Sequence, residues 1–149
     1  MPSFKIATIL DAPIIVDLMK EFCKIDNHVF DKERITKALN PLLADKSLGL
    51  VVLLQKDEQT VGYAVLTWGW SIESGGREGL IDEIYLKERD QGLGSLLLAE
   101  VVKLAQDNDV KILFLETELA NSRVRDFYLR HGFKQDDSIW LSHDLSSTE

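Results

Sequence analysis

A glycine-containing turn at residues 89–94 constrains this chain more than any other feature of its sequence. It lies between an apolar, β-rich run at residues 80–86 and a stretch with helical periodicity from Ser95 to about Asp107. Glycine at such a junction lets a ligand approach the backbone closely, because no Cβ stands in the way. The first amides of a helix lack intrahelical partners and carry partial positive charge. The turn therefore favours an anionic group such as a phosphate.

The spacing of the turn argues against two well-known phosphate motifs. A dinucleotide-binding fingerprint requires G-x-G-x-x-G, and a P-loop requires a Lys-Ser/Thr pair after its last glycine. Here the pattern is R-x-x-G-x-G, and Ser95 follows Gly94 with no lysine. A nucleotide-binding domain of another class is therefore disfavoured. For the turn by itself, a plain glycine-rich helix start remains an alternative.

A second motif lies downstream, after a β-rich run at residues 112–117. It reads N-x-x-V-x-x-F-Y-x-x-x-G-F and begins at Asn121. The turn, the strand and this motif, in that order, resemble the second half of the GNAT superfamily of acyl-CoA-dependent N-acetyltransferases. The resemblance covers residues 60–133 well, and the first fifty residues only by pattern.

Hydrophobic periodicity predicts an α/β fold with the element order β-α-α-β-β-β-α-β-α-β. That order gives a mixed central sheet with helices on both faces and also matches the GNAT fold. The length of 149 residues suits one domain, so the resemblance implies a single N-acetyltransferase domain over residues 1–149. The predicted strands are residues 4–9, 48–56, 60–70, 80–86, 111–117 and 138–145, with a hairpin at residues 57–59. Helices are predicted after Asp11 as N-cap, after Asp31, from Ser95 to about Asp107 and around Tyr128.

Composition restricts the partners of the protein. The chain has 17 basic and 25 acidic side chains, which gives a net charge of −8. Such a chain has no generic attraction for nucleic acid or anionic membranes, and it would favour a cationic acceptor. Cys23 is the single cysteine, so no intrachain disulfide forms, and no membrane span or signal peptide is recognised. We therefore expect a cytoplasmic protein; a homodimer fits the resemblance, because dimers are common in the family.

Tyr128 is the candidate general acid for the transfer of an acetyl group from a thioester to an amine. In the family, the tyrosine of the F-Y pair lies seven residues after the asparagine and points at the coenzyme sulfur. Asn121 and Tyr128 match that spacing. Packing beside Phe127 is the alternative for Tyr128, and Asn121 has a second candidate role as the N-cap of its helix.

The adjacent acids Asp82 and Glu83 are the candidates for activating the amine, directly or through a water molecule. Neighbouring residues of a regular strand point to opposite faces, so one acid at most would face the acceptor unless a β-bulge breaks the alternation. By resemblance, Asp82 corresponds to the acceptor-contacting glutamate of diamine acetyltransferases, and Glu83 to the acid common in many small family members. An exposed acid pair at the end of a sheet is the alternative.

The resemblance also implies where acetyl-CoA, the acetyl donor, binds. In the family, backbone groups of the strand before the turn hydrogen-bond the pantetheine arm as an added strand would, and the turn binds the pyrophosphate. Only Lys87 and Glu88 separate the predicted strand from Arg89, where the family usually has about four residues. Either the strand ends earlier or the loop is shortened. The expected cofactor-binding residues are Ile84, Tyr85, Leu86, Asp90, Gln91, Gly92, Leu93, Gly94, Ser95 and Asn121.

Together these features predict an N-acetyltransferase that moves an acetyl group from acetyl-CoA to a primary amine by direct attack in a ternary complex. The acceptor is a small molecule or a peptide amine. A non-catalytic acyl-CoA-binding regulatory or sensor module is the alternative. No metal site is expected, because the three histidines are scattered and lack the spacing of metal ligands.

Overall fold

The computed structural model describes residues 1–89 and 91–146. By contacts the chain divides into two compact units, Met1–Glu116 and Thr117–Glu149. The elements are β1 (Ser3–Ile6), a 3-10 turn (Ile9–Asp11), α1 (Ala12–Ile25), α2 (Lys32–Ala44), β2 (Gly49–Lys56), β3 (Gln59–Ser71), β4 (Gly76–Leu86), α3 (Leu93–Asp107), β5 (Ile112–Phe114) and α4 (Ser122–Arg130).

A five-stranded mixed sheet forms the framework of the first unit, in the order β1-β2-β3-β4-β5. The first four strands pair antiparallel, and β5 pairs parallel to β4. The predicted hairpin between β2 and β3 turns through Asp57 and Glu58, whose φ angles of 53° and 63° are left-handed. Two successive left-handed residues are typical of the turn that suits the twist of a hairpin.

Helices α1 and α2 cover one face of this sheet. The buried positions of α1 include Ile15, Leu18 and Met19, which recur at helical spacing and form one apolar stripe. They pack in one core with side chains of α2 and of the central strands. The strand side chains in this core are Val51, Leu53, Tyr63, Val65 and Tyr85.

Helix α3 lies against the other face of the sheet. Ala64 and Leu66 of β3 are buried and alternate with the side chains of the first core, so they point to the opposite face. Helix α3 contacts β3 and β4 and buries its own apolar stripe. The predicted α/β class, a mixed sheet with helices on both faces, is confirmed.

Asp11 explains why β1 is shorter than the sequence predicts. The prediction extended the strand to Ile9 and used Asp11 as the N-cap of the first helix. Asp11 does occupy the cap position, but its carboxylate accepts hydrogen bonds from Thr8 N at 2.8 Å and Lys5 Nζ at 2.9 Å. Together with Thr8 it forms a capping box around the 3-10 turn, which ends the strand at Ile6.

The prediction of a last strand at residues 138–145 is wrong. The structure describes residues 138–146 and assigns them no strand, and Ile139, Trp140 and Leu141 are all exposed. Likewise, the strand predicted at residues 111–117 covers only Ile112–Phe114. Alternation of apolar side chains shows that a segment suits a pleated surface, but a strand also needs a neighbouring edge to supply its hydrogen bonds.

Gly62 is a point where β3 and β4 approach too closely for a side chain. A Cβ built there would lie 2.6 Å from the carbonyl oxygen of Tyr85 and 2.7 Å from Leu86 Cδ2. We expect Gly62→Ala to lower the free energy of unfolding by about 1–3 kcal/mol, because a backbone atom cannot move aside cheaply. Gly69→Ala, in the same strand, is the matched control, since its nearest neighbours are 3.9 Å away. Equal midpoints for the two variants in urea denaturation would contradict this packing.

Candidate functional site

One edge of β4 is open beyond its first few residues. Strand β3 pairs with β4 along its length, whereas β5 pairs only with Glu78, Gly79 and Leu80. From residue 81 to residue 86, no strand in the described part of the chain lies along this edge. Open backbone groups at such an edge can hydrogen-bond an extended ligand. This is the segment where the sequence placed the pantetheine contacts of Ile84, Tyr85 and Leu86.

A one-residue bulge lies in the same segment of β4. Val65 of β3 is opposite Glu83, and the next residue, Leu66, is opposite Ile81. Asp82 is therefore the extra residue of a β-bulge. The bulge removes the strict alternation that would separate the two acids, and Glu83 lies on the face that α1 and α2 cover.

Glu83 is held by a buried partner that the sequence analysis did not select. Tyr63, on β3, has no solvent-exposed surface and donates a hydrogen bond from its hydroxyl to Glu83 Oε1 at 2.7 Å. The two residues are twenty positions apart, and only the register of β3 against β4 brings them together. The sequence signal was limited to a tyrosine in one strand and an acid in the next.

The surroundings raise the pKa of both acids. Burial raises the pKa of Glu83 and the charge of Asp82 raises it further, while the hydrogen bond from Tyr63 and the charge of His28 lower it. Asp82 reaches solvent, yet partial loss of water around its carboxylate raises its pKa as well. Each acid is thus a stronger proton acceptor than a free carboxylate, as a general base requires.

Aromatic side chains and a thiol complete the surroundings of Glu83. Phe22 stacks on Tyr85 with ring centroids 5.5 Å apart, and Tyr63 lies 5.9 Å from Tyr85. Burial raises the pKa of the Cys23 thiol, and the charge of Glu83 adds to the effect. A raised pKa favours the protonated thiol, which is the less nucleophilic form.

The glycine turn leads directly into α3 through a left-handed glycine. Gly92 is the N-cap of α3, in the left-handed region with φ 74° and ψ 0°. The helix begins at Leu93 rather than at Ser95, so Gly94 and Ser95 lie in its first turn. A Cβ built on Gly92 would meet no atom of the described residues within 4 Å, so these residues leave the space beside the turn open.

The connection into the turn is short and anchored. Strand β4 extends to Leu86, which identifies the shortened loop as the correct alternative. Gln91 accepts a hydrogen bond from Lys56 Nζ at 3.1 Å and donates one to Glu88 Oε2 at 2.7 Å. Asp90, also predicted to bind the cofactor, lies outside the described residues.

The second unit carries the other two predicted site residues. The Asn121 side chain accepts a hydrogen bond from Val124 N at 3.2 Å, which confirms it as the N-cap of α4. Tyr128 is buried and makes edge-to-face contacts with Phe127 at 5.2 Å and Phe133 at 5.5 Å. Burial raises the pKa of Tyr128 to about 12, so its hydroxyl keeps its proton at neutral pH. Both its packing role and its chemical role are compatible with this environment.

The described ranges hold neither a cluster of metal-binding side chains nor a membrane-spanning helix. Among residues 1–89 and 91–146, no group of three or more His, Cys, Asp or Glu side chains could hold a metal ion. No helix there is both long and apolar enough to cross a membrane. His131 lies at the C-cap of α4, with Nδ1 2.7 Å from the carbonyl oxygen of Phe127, as expected for a histidine at a helix end.

Comparison with known proteins decides the family. The sequence matches the model of the acetyltransferase (GNAT) family over residues 15–133, which includes parts of both compact units. The chain belongs to the GNAT family. Family membership supports acyl transfer as its activity, with an acyl-CoA thioester as the general donor of the family. No curated protein sequence matches it significantly.

Solved structures support the same fold. An integron cassette protein from the mobile metagenome of Cole Harbour Salt Marsh is 31% identical with a TM-score of 0.87, and the alignment covers 97% of this GNAT chain and 91% of that one. A possible acetyltransferase from Clostridium difficile 630 is 18% identical with a TM-score of 0.88 and 99% coverage of both chains. An aminoglycoside acetyltransferase from an uncultured soil metagenomic sample, in complex with sisomicin, is 14% identical, with a TM-score of 0.79 and 97% coverage of both.

Gly92 provides a test of the turn as an anion site. Alanine at a left-handed position costs roughly 1–2 kcal/mol, which shifts the backbone toward another conformation and turns the first helical amides away from their target. We expect Gly92→Ala to weaken the binding of CoA about tenfold in isothermal titration calorimetry. Gly75→Ala is the matched control, because Gly75 also has a left-handed φ of 86° and open space around it. Equal affinities of the two variants would contradict the site.

Proposed function

We propose that this GNAT protein is an acetyl-CoA-dependent N-acetyltransferase that acetylates a primary amine by direct attack in a ternary complex. The observation that carries this proposal is the bulge at Asp82 in the open segment of β4. It puts a partly buried carboxylate, Glu83, and an exposed one, Asp82, on the strand that leads into the glycine turn. One continuous stretch of chain thus carries the proposed base, a free strand edge and a helix start that suits an anion.

The residues present fit acetyl-CoA, which supplies the acetyl group as a thioester. Along residues 84–86, no described strand pairs with β4 on the side away from β3, so the backbone groups that point to that side are the proposed partners of an extended pantetheine arm. Among the described residues, the first hydrogen bond of the helix runs from Leu96 N to Gly92 O, and the preceding amides of Leu93 and Gly94 are the proposed donors to the pyrophosphate. Open space beside Gly92 permits the close approach that this contact requires.

The acid pair would prepare the amine for attack. An alkylammonium group has a pKa near ~10, so it must lose a proton before its nitrogen can form a bond. A carboxylate attracts the cation and accepts that proton, directly or through a water molecule. The nitrogen then bonds to the carbonyl carbon while the carbon–sulfur bond breaks, and Tyr128 donates its proton to the departing thiolate.

The acceptor that these features favour is cationic. The net charge of −8 and the acid pair attract an amine that carries positive charge. An aminoglycoside acetyltransferase shares the fold of this chain, and polycationic amines are therefore the first class of acceptor to test. Peptide amino termini are the second class, because they present the same nucleophile with a lower pKa.

An acceptor screen tests the proposed activity. Release of free CoA from acetyl-CoA is followed with polyamines, aminoglycosides, amino acids and peptides. We expect amine-dependent release with at least one cationic class. Tight binding of acetyl-CoA in calorimetry, with no release above the amine-free rate for any acceptor, would contradict the enzyme and favour the acyl-CoA-binding module.

Replacement of Tyr128 tests the general acid. Tyr128→Phe keeps the ring that packs against Phe127 and Phe133 and removes only the hydroxyl. We expect turnover to fall by about 10²–10⁴-fold, the usual contribution of a positioned acid. Affinity for acetyl-CoA and the circular dichroism spectrum should be retained. Turnover within twofold of the wild type would leave Tyr128 with a packing role only.

Replacement of the acids tests the base. A base accepts a proton only when ionised, so kcat/KM falls as the pH drops through its pKa. Because burial raises the pKa of Glu83, this acid limb should lie above the ordinary value of about 4.3. We expect Glu83→Gln or Asp82→Asn to lower turnover and alter the limb, while Glu78→Gln, in the same strand, does not. A wild-type pH–rate profile in both variants would place deprotonation elsewhere.

A further inference from the structure

We propose that Tyr63 is a positioning residue that fixes one oxygen of Glu83 and thereby selects Glu83, rather than Asp82, as the proton acceptor. This inference rests on the proposed acetyltransferase function for its chemical meaning. Its structural basis is the single hydrogen bond from Tyr63 Oη to Glu83 Oε1, 2.7 Å long, between paired strands. The sequence alone does not distinguish between the two acids.

Tyr63 can orient the Glu83 carboxylate because packing restricts the conformation of the Tyr63 side chain. Its side chain has no exposed surface, and its ring lies 5.9 Å from that of Tyr85 in the core beneath α1 and α2. A phenol has one proton to donate, and here that proton goes to Glu83. A buried donor on a rigid strand fixes the rotamer of the carboxylate that accepts from it.

The two oxygens of Glu83 are consequently unequal. Oε1 receives the hydrogen bond of Tyr63, and Oε2 accepts none from the residues that the structure describes. Oε2 is therefore the atom left to take a proton from an amine or a bridging water. Asp82, in contrast, is exposed at the bulge, and its carboxylate accepts no hydrogen bond from the described residues that would fix its orientation.

The surroundings of Glu83 raise its pKa, and the hydrogen bond from Tyr63 opposes that rise. Burial and the negative charge of Asp82 both favour the protonated acid, which cannot act as a base. The hydrogen bond from Tyr63 favours the ionised form, and so does His28. The titratable groups that face Glu83 are Asp82 from its own strand, Tyr63 from β3, Cys23 from α1 and His28 from the segment after α1. Glu21, also from α1, acts on the neighbouring Tyr85.

A purely structural role for Tyr63 makes a different prediction. If the hydroxyl only satisfies hydrogen bonding in the core, its loss changes stability but leaves the proton affinity of Glu83 as it was. If it supports the ionised form, its loss raises the pKa of Glu83. Tyr63→Phe separates the two cases, because it keeps the buried ring and removes only the donor.

The first measurement needs no substrate. The side-chain carboxyl of Glu83 is followed through a pH titration by carbon-13 NMR in the free wild-type protein and in Tyr63→Phe. We expect the midpoint to move upward by about one pH unit, the equivalent of one ordinary hydrogen bond. Tyr85→Phe, which removes a hydroxyl from the same aromatic group, should leave the Glu83 midpoint in place. An unchanged midpoint in Tyr63→Phe would overturn the proposal, whether or not an acceptor is known.

The second measurement tests whether Tyr63 acts through Glu83 during turnover. With an acceptor in hand, Tyr63→Phe should move the acid limb of kcat/KM upward by the same amount as the NMR midpoint. In a Glu83→Gln background, Tyr63→Phe should have no further effect on kcat, because the group that it positions is gone. An equal loss in both backgrounds, or a moved NMR midpoint with an unmoved acid limb, would overturn the role in catalysis. Failure to find any acceptor would count against the proposed function alone.

Discussion

The pairing of β3 with β4, interrupted by one bulged residue, is the constraint on which the rest of the candidate site depends. Before and after the bulge, β3 and β4 are paired residue by residue, and their buried side chains pack on both faces of the sheet. At Asp82 the extra residue breaks the alternation that a regular strand imposes. Without it, Asp82 and Glu83 would lie on opposite faces of the sheet. A strand can also bend at a bulge, and this bulge lies in the part of β4 that is not paired with β5.

Removing a charged carboxylate from water is unfavourable in free energy, and the surroundings of Glu83 determine how readily it holds a proton. Glu83 loses water on the face that α1 and α2 cover, which favours its neutral form. A buried phenol on the neighbouring strand compensates in part by donating to the carboxylate. The result is an acid that remains ionisable but holds a proton more readily than a free glutamate does. Groups with opposing environmental effects of this kind are common at functional sites.

The two features proposed to bind the coenzyme share one physical principle, the use of backbone groups that have no partner within their own element. The open edge of β4 and the start of α3 both present main-chain groups, and Gly92 keeps the space beside them free. Structures of 14% and 31% identity share this fold.

Local sequence patterns were sufficient to predict the family, the α/β class, the hairpin, the start of α2 after Asp31, the N-cap at Asn121 and the glycine turn before α3, because each depends on a few neighbouring residues. They did not define where β5 ends, and the predicted strand at residues 138–145 was wrong, because strand formation depends on a partner edge. The bulge at Asp82 and the contact of Tyr63 with Glu83 depend on tertiary structure. Register between strands is a long-range property, and no local pattern in either strand specifies which residues face each other.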